Sequence, residues 1–131
     1  MTHYEKLQLQ REIEQARKEV TNAKRRHARQ EQKLMDQHIE NTTHIESYFK
    51  SAINDLILSK RNADKEANDI IYNAIQRLEH SHKAAMATIS QLQSETFHNK
   101  VMQNISILGR FERELEDLQN LQKQNNDMEV A

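Results

Sequence analysis

The chain has no proline and one glycine, Gly109, in 131 residues, so almost nothing in it is built to stop or bend an α-helix. Few folds are open to such a chain. The strongest local breakers and most tight-turn chemistry are missing, while Glu, Lys, Gln, Arg, Leu and Ala, all good helix formers, dominate the rest. Apolar residues make up only 36% and charged residues 30%, and the mean hydropathy is -0.98. That is too little apolar material for a large single core in a chain of 15.5 kDa. Extended helices that share a narrow seam need less, and 19 basic against 20 acidic residues suit helix faces laced with ion pairs. Disorder would combine this polarity with strong net charge and sparse apolar residues. Here the net charge is -1 and the apolar residues are periodic.

The chain contains no cysteine, which rules out disulfide and thiolate chemistry and leaves the redox compartment open. Apolar runs such as Leu56 to Leu58 fall far short of the ~20 residues that cross a bilayer, and the segment MTHYEKLQLQ carries no apolar signal core. The expectation is a soluble cytoplasmic protein without membrane insertion, with co-export beside a client as the other route.

Periodicity supplies the architecture. Thr2-His3-Tyr4-Glu5 forms a capping box, so helix begins almost at once. Ile13, Ala16, Val20, Ala23, His27, Gln30 and Leu34 then follow alternating steps of three and four, the spacing of a coiled-coil seam. The seam is thin from Ala23 to Gln30. A second box at Thr43 to Glu46 offers a restart near residues 41–43. Beyond it Ile45, Tyr48, Phe49, Ala52, Ile53, Leu56, Ile57 and Leu58 form two adjoining apolar stripes. Periodicity lapses over Ser59 to Asp64, where Lys60 and Arg61 suit a helix end and Asn62, Asp64 and Glu66 suit the next start. The second arm carries Ala67, Ile70, Ile71, Ala74, Ile75, Leu78, His82, Ala85, Ile89 and Leu92. After a slip near Ser94 to Thr96 it resumes as Phe97, Val101, Ile105, Leu108, Phe111 or Glu112, Leu115, Leu118 and Leu121.

The pattern predicts an all-α fold: one long antiparallel helical hairpin over residues 1–131, with arm one at 3–60, a turn at 59–64, arm two at 63–124 and a frayed polar tail at 125–131. Each arm is ~60 residues, hence ~90 Å if fully helical. A break at 41–43 or at Gly109 is the alternative at each place. A register that sets Ala52 against Ile71, Tyr48 against Ile75, Ile45 against Leu78 and Leu34 against Ile89 pairs apolar with apolar. It also places the thin Ala23 to Gln30 seam opposite the polar Gln93 to Lys100.

Histidine is the residue type that invites metal chemistry. Glu79 with His82 and Glu95 with His98 both match the Glu-x-x-His pair that di-metal helical bundles take from two helices. Both lie on one arm, separated by ~24 Å along it, too far to share a site, so no metal, cofactor or catalytic residue is expected. No phosphate loop, nucleophile elbow or zincin motif occurs either, which argues against an enzyme. Arg11 to Lys33 holds eight basic and four acidic residues, including Lys24, Arg25, Arg26 and Arg29. A nucleic-acid helix would sit in a more basic chain than one of pI 6.7; the stretch reads first as a solvated coiled-coil flank, with attraction of an acidic protein partner as the alternative.

The apolar excess remains. A lone hairpin hides one stripe per arm, and each large side chain left wet forgoes about 1.5–3 kcal/mol of burial. The predicted partner-binding residues are Ile45, Tyr48, Phe49, Ile53, Leu56, Ile57, Phe97 and Phe111, with a helical protein, a second small helical chain or a homodimer as partner.

A charged coiled-coil start, an aromatic-rich middle HIESYFKSAINDL and a charged second arm ending FERELEDLQNLQKQ resemble the small LXG-associated helical proteins across most of the chain. The resemblance implies a targeting factor or chaperone encoded beside an LXG toxin of a Gram-positive type VII secretion system. Such a protein binds the helical N-terminal domain of the toxin and helps direct it to the secretion machine. The sequence lacks the Trp-x-Gly turn of WXG-type partners. The export signal Tyr-x-x-x-Asp/Glu also fails, since Tyr4, Tyr48 and Tyr72 lead to Gln8, Ala52 and Gln76. Its phenylalanine counterpart fails at Phe49, Phe97 and Phe111, which lead to Ile53, Val101 and Leu115. The resemblance thus implies the member that binds and shields toxin. A self-associating coiled-coil scaffold or spacer subunit is the alternative function.

Overall fold

The computed structural model describes residues 1–130. Helix α1 spans His3–Ser59 and helix α2 spans Lys65–Val130, joined by a 3-10 turn at Lys60–Asn62, and the two helices pack against each other as an antiparallel hairpin. The N-terminal capping box forms as its residues require: the Thr2 backbone N–H donates to the Glu5 carboxylate and the Glu5 N–H to Thr2 Oγ1, each at 3.2 Å.

Neither alternative break occurs. At the second box the hydroxyls of Thr42 and Thr43 donate backwards to the carbonyls of His38 and Ile39, at 2.7 and 2.8 Å. Both hydroxyls thus bond back to the preceding turn instead of capping a new start, and the helix runs through residues 41–43. At Gly109 the backbone φ is not positive, the carbonyl accepts from Arg113 Nε at 3.3 Å, and a Cβ would meet nothing within 4 Å. Within this chain the glycine therefore only weakens the helix, and Gly109→Ala is expected to raise stability by about 1 kcal/mol, readable as a higher denaturation midpoint with unchanged m-value. The polar segment after Gln124, expected to fray, remains helical through Val130, and Lys6 pairs with Glu129; Ala131 lies outside the described residues.

At the turn, Ser59 Oγ donates to the Asp55 carbonyl at 3.0 Å and Ala63 is extended at φ -95, ψ 146. Asp64 then caps α2, its Oδ1 accepting from the Ala67 N–H at 2.8 Å. Because 3-10 and extended residues rise more per residue than α-helix, the chain is carried past the end of α1 before α2 starts. The register shifts accordingly. Phe49 stacks on His82, Gln93 Nε2 donates to the Leu34 carbonyl at 3.1 Å, and Lys60 lies over the Tyr72 ring. Partners on α2 come one to two turns later than the apolar pairing of the sequence suggested, so Tyr48 does not face Ile75, nor Leu34 Ile89.

The packed chain divides into two compact units, residues 1–32 with 98–130 and residues 33–97. In the first unit, Ile13, Ala16, Val20 and Ala23 are buried with His27, the seam that three-four spacing predicts, and Leu9 extends it by one further step; the thin stretch is covered. On α2 the buried position is Asn104 and not Ile105. Asn104 Nδ2 donates to Glu31 Oε1 at 3.3 Å. In the second unit Ile75 is buried, and Leu34, His38, Thr42, Ile45, Phe49, Leu56, Ile71, Leu78, His82, Ile89, Gln93 and Phe97 are half-buried. Ile70 and Leu92, expected in the seam, are exposed. Consecutive four-residue steps, Leu34–His38–Thr42 on α1 and Ile89–Gln93–Phe97 on α2, make a stutter in each seam, and it is the stutter that seats Gln93 in place of Leu92.

Candidate partner-binding surface

In the second unit the stutter leaves the helices incompletely interdigitated. A groove of 310 Å³ opens there, lined by Met35, His38 and Ile39 of α1 and Ser90, Gln93, Ser94 and Phe97 of α2. Polar seam residues cause it: Gln93 spends its amide on the Leu34 carbonyl, and His38 Nδ1 is buried without a hydrogen-bond partner, so neither supplies the apolar bulk that would close the gap. Met35 and Ile39 are exposed on the groove's flank.

Toward the tip, the aromatic cluster is built from adjacent residues on different sides of the seam. Phe49 points between the helices and stacks on His82 at 5.0 Å and 23°, leaving His82 Nε2 buried and unpartnered. Tyr48, one residue earlier, is rotated about 100° round the helix; its ring stands edge-on to Phe49 at 5.7 Å and 84°, and the residue is 70% exposed.

The eight predicted partner-binding residues therefore separate. Ile45, Phe49, Ile53, Leu56 and Phe97 are half-buried in the second unit, and Phe111 is half-buried in the first. Tyr48 and Ile57 are exposed. Met35, Ile39, Ile70, Tyr72 and Leu92 are also exposed large apolar residues of the second unit that the prediction left out. Spacing contained a signal for the α1 members: Met35, Ile39, Ile53 and Ile57 recur on one flank of the seam at multiples of the helical repeat. For Ile70 and Leu92 the signal misled, because an apolar residue was preferred to its polar neighbour as the seam position.

The two Glu-x-x-His pairs do other things. His82 belongs to the Phe49 stack, and Glu95 accepts from Gln91 Nε2 at 3.4 Å. Among the described residues no group of three or more His, Cys, Asp or Glu converges. The basic stretch lies in the first unit, where Lys24, His27, Ala28 and Glu31 line a groove with Asn104, Ile105 and Leu108; its neighbours on α2 are thus not around Glu95, as the earlier register implied. Among the described residues, no helix is long and apolar enough to cross a membrane. Comparisons with protein-family models, with curated proteins and with solved structures return no match for this chain.

Proposed function

We propose that this chain is a non-enzymatic partner protein. It binds the helical N-terminal domain of a secreted LXG-type toxin and targets or shields that toxin for type VII secretion. The observation that carries the reading is the apolar flank left exposed in the second unit, Met35 and Ile39 at a groove and Ile57 five turns further along the same side of α1, on a hairpin whose own seam is already occupied. A partner helix laid along this flank would cover side chains that the hairpin cannot cover itself, in the helix-in-groove mode read by residues three and four apart. Tyr48, nine residues from both Ile39 and Ile57, is exposed on the opposite side of α1 and lies outside this flank.

Co-expression of the chain with the helical N-terminal domain of such a toxin tests this. The expected result is a complex of defined stoichiometry that survives gel filtration. Ile39→Ala with Ile57→Ala should weaken it at least about tenfold, since two anchors lost from an interface cost upwards of ~1.4 kcal/mol, while helicity stays unchanged. Failure of the unmodified chain to co-purify with such a domain would contradict the reading.

A further inference from the structure

We propose that the outward side of α1 in the first unit is a docking ridge for an acidic helix of a partner protein, with Arg11, Lys18, Arg25 and Arg29 holding its carboxylates. The ridge belongs to residues 1–32, whereas toxin binding is assigned to the second unit, so the two stand or fall separately.

Place relative to the seam brings these four side chains together. Arg11 falls midway between the buried Leu9 and Ile13, Lys18 between Ala16 and Val20, and Arg25 between Ala23 and His27. Two residues turn a helix by about 200°, so each stands on the side of α1 opposite the seam, as does Arg29 two residues beyond His27. Steps of seven and four align them in one row ~27 Å long. All four are exposed, and none joins an ion pair among the described residues. Lys24 and Arg26, neighbours in sequence, stand about 100° to either side of Arg25 and lie outside the row. The acids of α2 are across the seam, on the other side of α1, and do not reach it.

The surroundings of the row select its occupant. A helix that lies on a membrane pairs its basic face with an apolar face that enters the lipid, but the apolar side of α1 is already packed in the seam. Single-stranded nucleic acid needs aromatic rings to stack on, and between Arg11 and Arg29 the chain has none. Glu12 and Glu19 border the row along one edge, each directly after a cation. A duplex or an anionic surface, wider than the row, would meet those acids as well. A single helix is narrow enough to contact the row alone. Its own side chains at seven-residue spacing repeat the ~10.5 Å steps from Arg11 to Lys18 and from Lys18 to Arg25. Three of the four cations are arginines, whose planar fork matches a carboxylate. Glu14 is the one acid on the outward side, and opposite it the partner helix carries a neutral or basic residue.

Titration of the full chain, without any toxin domain, into labelled probes tests the proposal. The probes are an alanine-based helical peptide of ~30 residues with glutamate at every seventh position, its isomer with the same glutamates spread round the helix, a DNA duplex of about 20 base pairs, and phosphatidylcholine vesicles containing phosphatidylserine. The first peptide should bind at least about fivefold more tightly than its isomer, and its binding should weaken as salt rises. Single exposed ion pairs contribute little, so the row acts through several at once. Lys18→Gln with Arg25→Gln should weaken that binding at least about fivefold, with helicity unchanged by circular dichroism. Arg17→Gln with Lys24→Gln removes equal charge from outside the row and should change it by no more than about twofold. No binding of the first peptide at low salt would overturn the proposal, as would equal affinity for the isomer or equal loss in the two variant pairs. Tighter binding to the duplex or to the vesicles than to the peptide would overturn it too, in favour of those partners.

Discussion

Asn104→Asp is expected to destabilise the chain by about 3–5 kcal/mol, the cost of a buried charge without a compensating partner. Asn104 is 3% exposed and its amide donates to Glu31 Oε1 at 3.3 Å. Replacing that amide with a carboxylate removes the donor and buries a charge in the seam beside the half-buried Glu31. The pH dependence follows from the sign of the effect. Burial and a neighbouring carboxylate both raise the folded-state pKa of the introduced group above its unfolded value, so the folded state binds the proton more tightly. The defect should therefore be smallest in acid and grow as pH rises through the unfolded and then the folded pKa. Urea titrations of both proteins across that range measure it; a difference that does not grow with pH would place Asn104 outside the seam. Asn104→Leu makes the complementary comparison. It should hold or raise stability, since Glu31 is only half-buried and can turn to solvent, while the polar contact that favours one register is lost.

Ile13→Ala is the second large effect, expected at about 2–3 kcal/mol, near the lower end for an isoleucine truncated in a core. Ile13 is 3% exposed in a seam whose next members are Ala16 and Val20, so few other large side chains share its load. A narrow seam open to water along both edges also collapses more readily than a globular core, which keeps the cost below the upper end of the range. For a chain whose total stability falls in the ordinary range of about 5–15 kcal/mol, that is a substantial fraction. Ile70→Ala is the control. Ile70 was an equal candidate by spacing but is exposed, and its truncation should change stability by no more than about 0.5 kcal/mol.

These two residues also mark how far the sequence could be read. Ile13, Ala16, Val20, Ala23 and His27 occupy the seam that their spacing predicted, because α1 in the first unit keeps an unbroken three-four pattern with one choice at each step. The turn was legible for the same kind of reason: Asp64 has a specific local task, accepting from the Ala67 N–H, and that task leaves a local signature. On α2 the choice was between neighbours. Asn104 and Ile105, or Gln93 and Leu92, fit the helical repeat about equally well, and apolarity alone favours the wrong member of each pair. What decides is the partner across the seam, Glu31 for Asn104 and the Leu34 carbonyl for Gln93, and those partners become known only with the register. The register in turn depends on the rise through Lys60 to Asp64, where one extended residue displaces every later pairing.

The candidate surface suffered from the same coupling. Aromatic and aliphatic density between Ile45 and Ile57 announced that more than one helix would be met, but not which side chains the hairpin would use itself. Phe49 is taken by His82 while Tyr48 is left in solvent, a division that depends on 100° of helical rotation and on where α2 lies. Met35 and Ile39 became part of the surface because the stutter opens a groove beside them.

Site-specific photo-crosslinking measures most directly whether the exposed flank of the second unit receives a partner helix. A photoreactive phenylalanine analogue placed at Ile39 and, separately, at Ile57 should crosslink to the helical N-terminal domain of an LXG-type toxin. The same group at His80, an exposed position of α2 in the same unit, should not. Crosslinks confined to positions 39 and 57 are the result expected. No crosslink from either, or equal capture from all three positions, would contradict the assignment of this flank as the partner-binding surface.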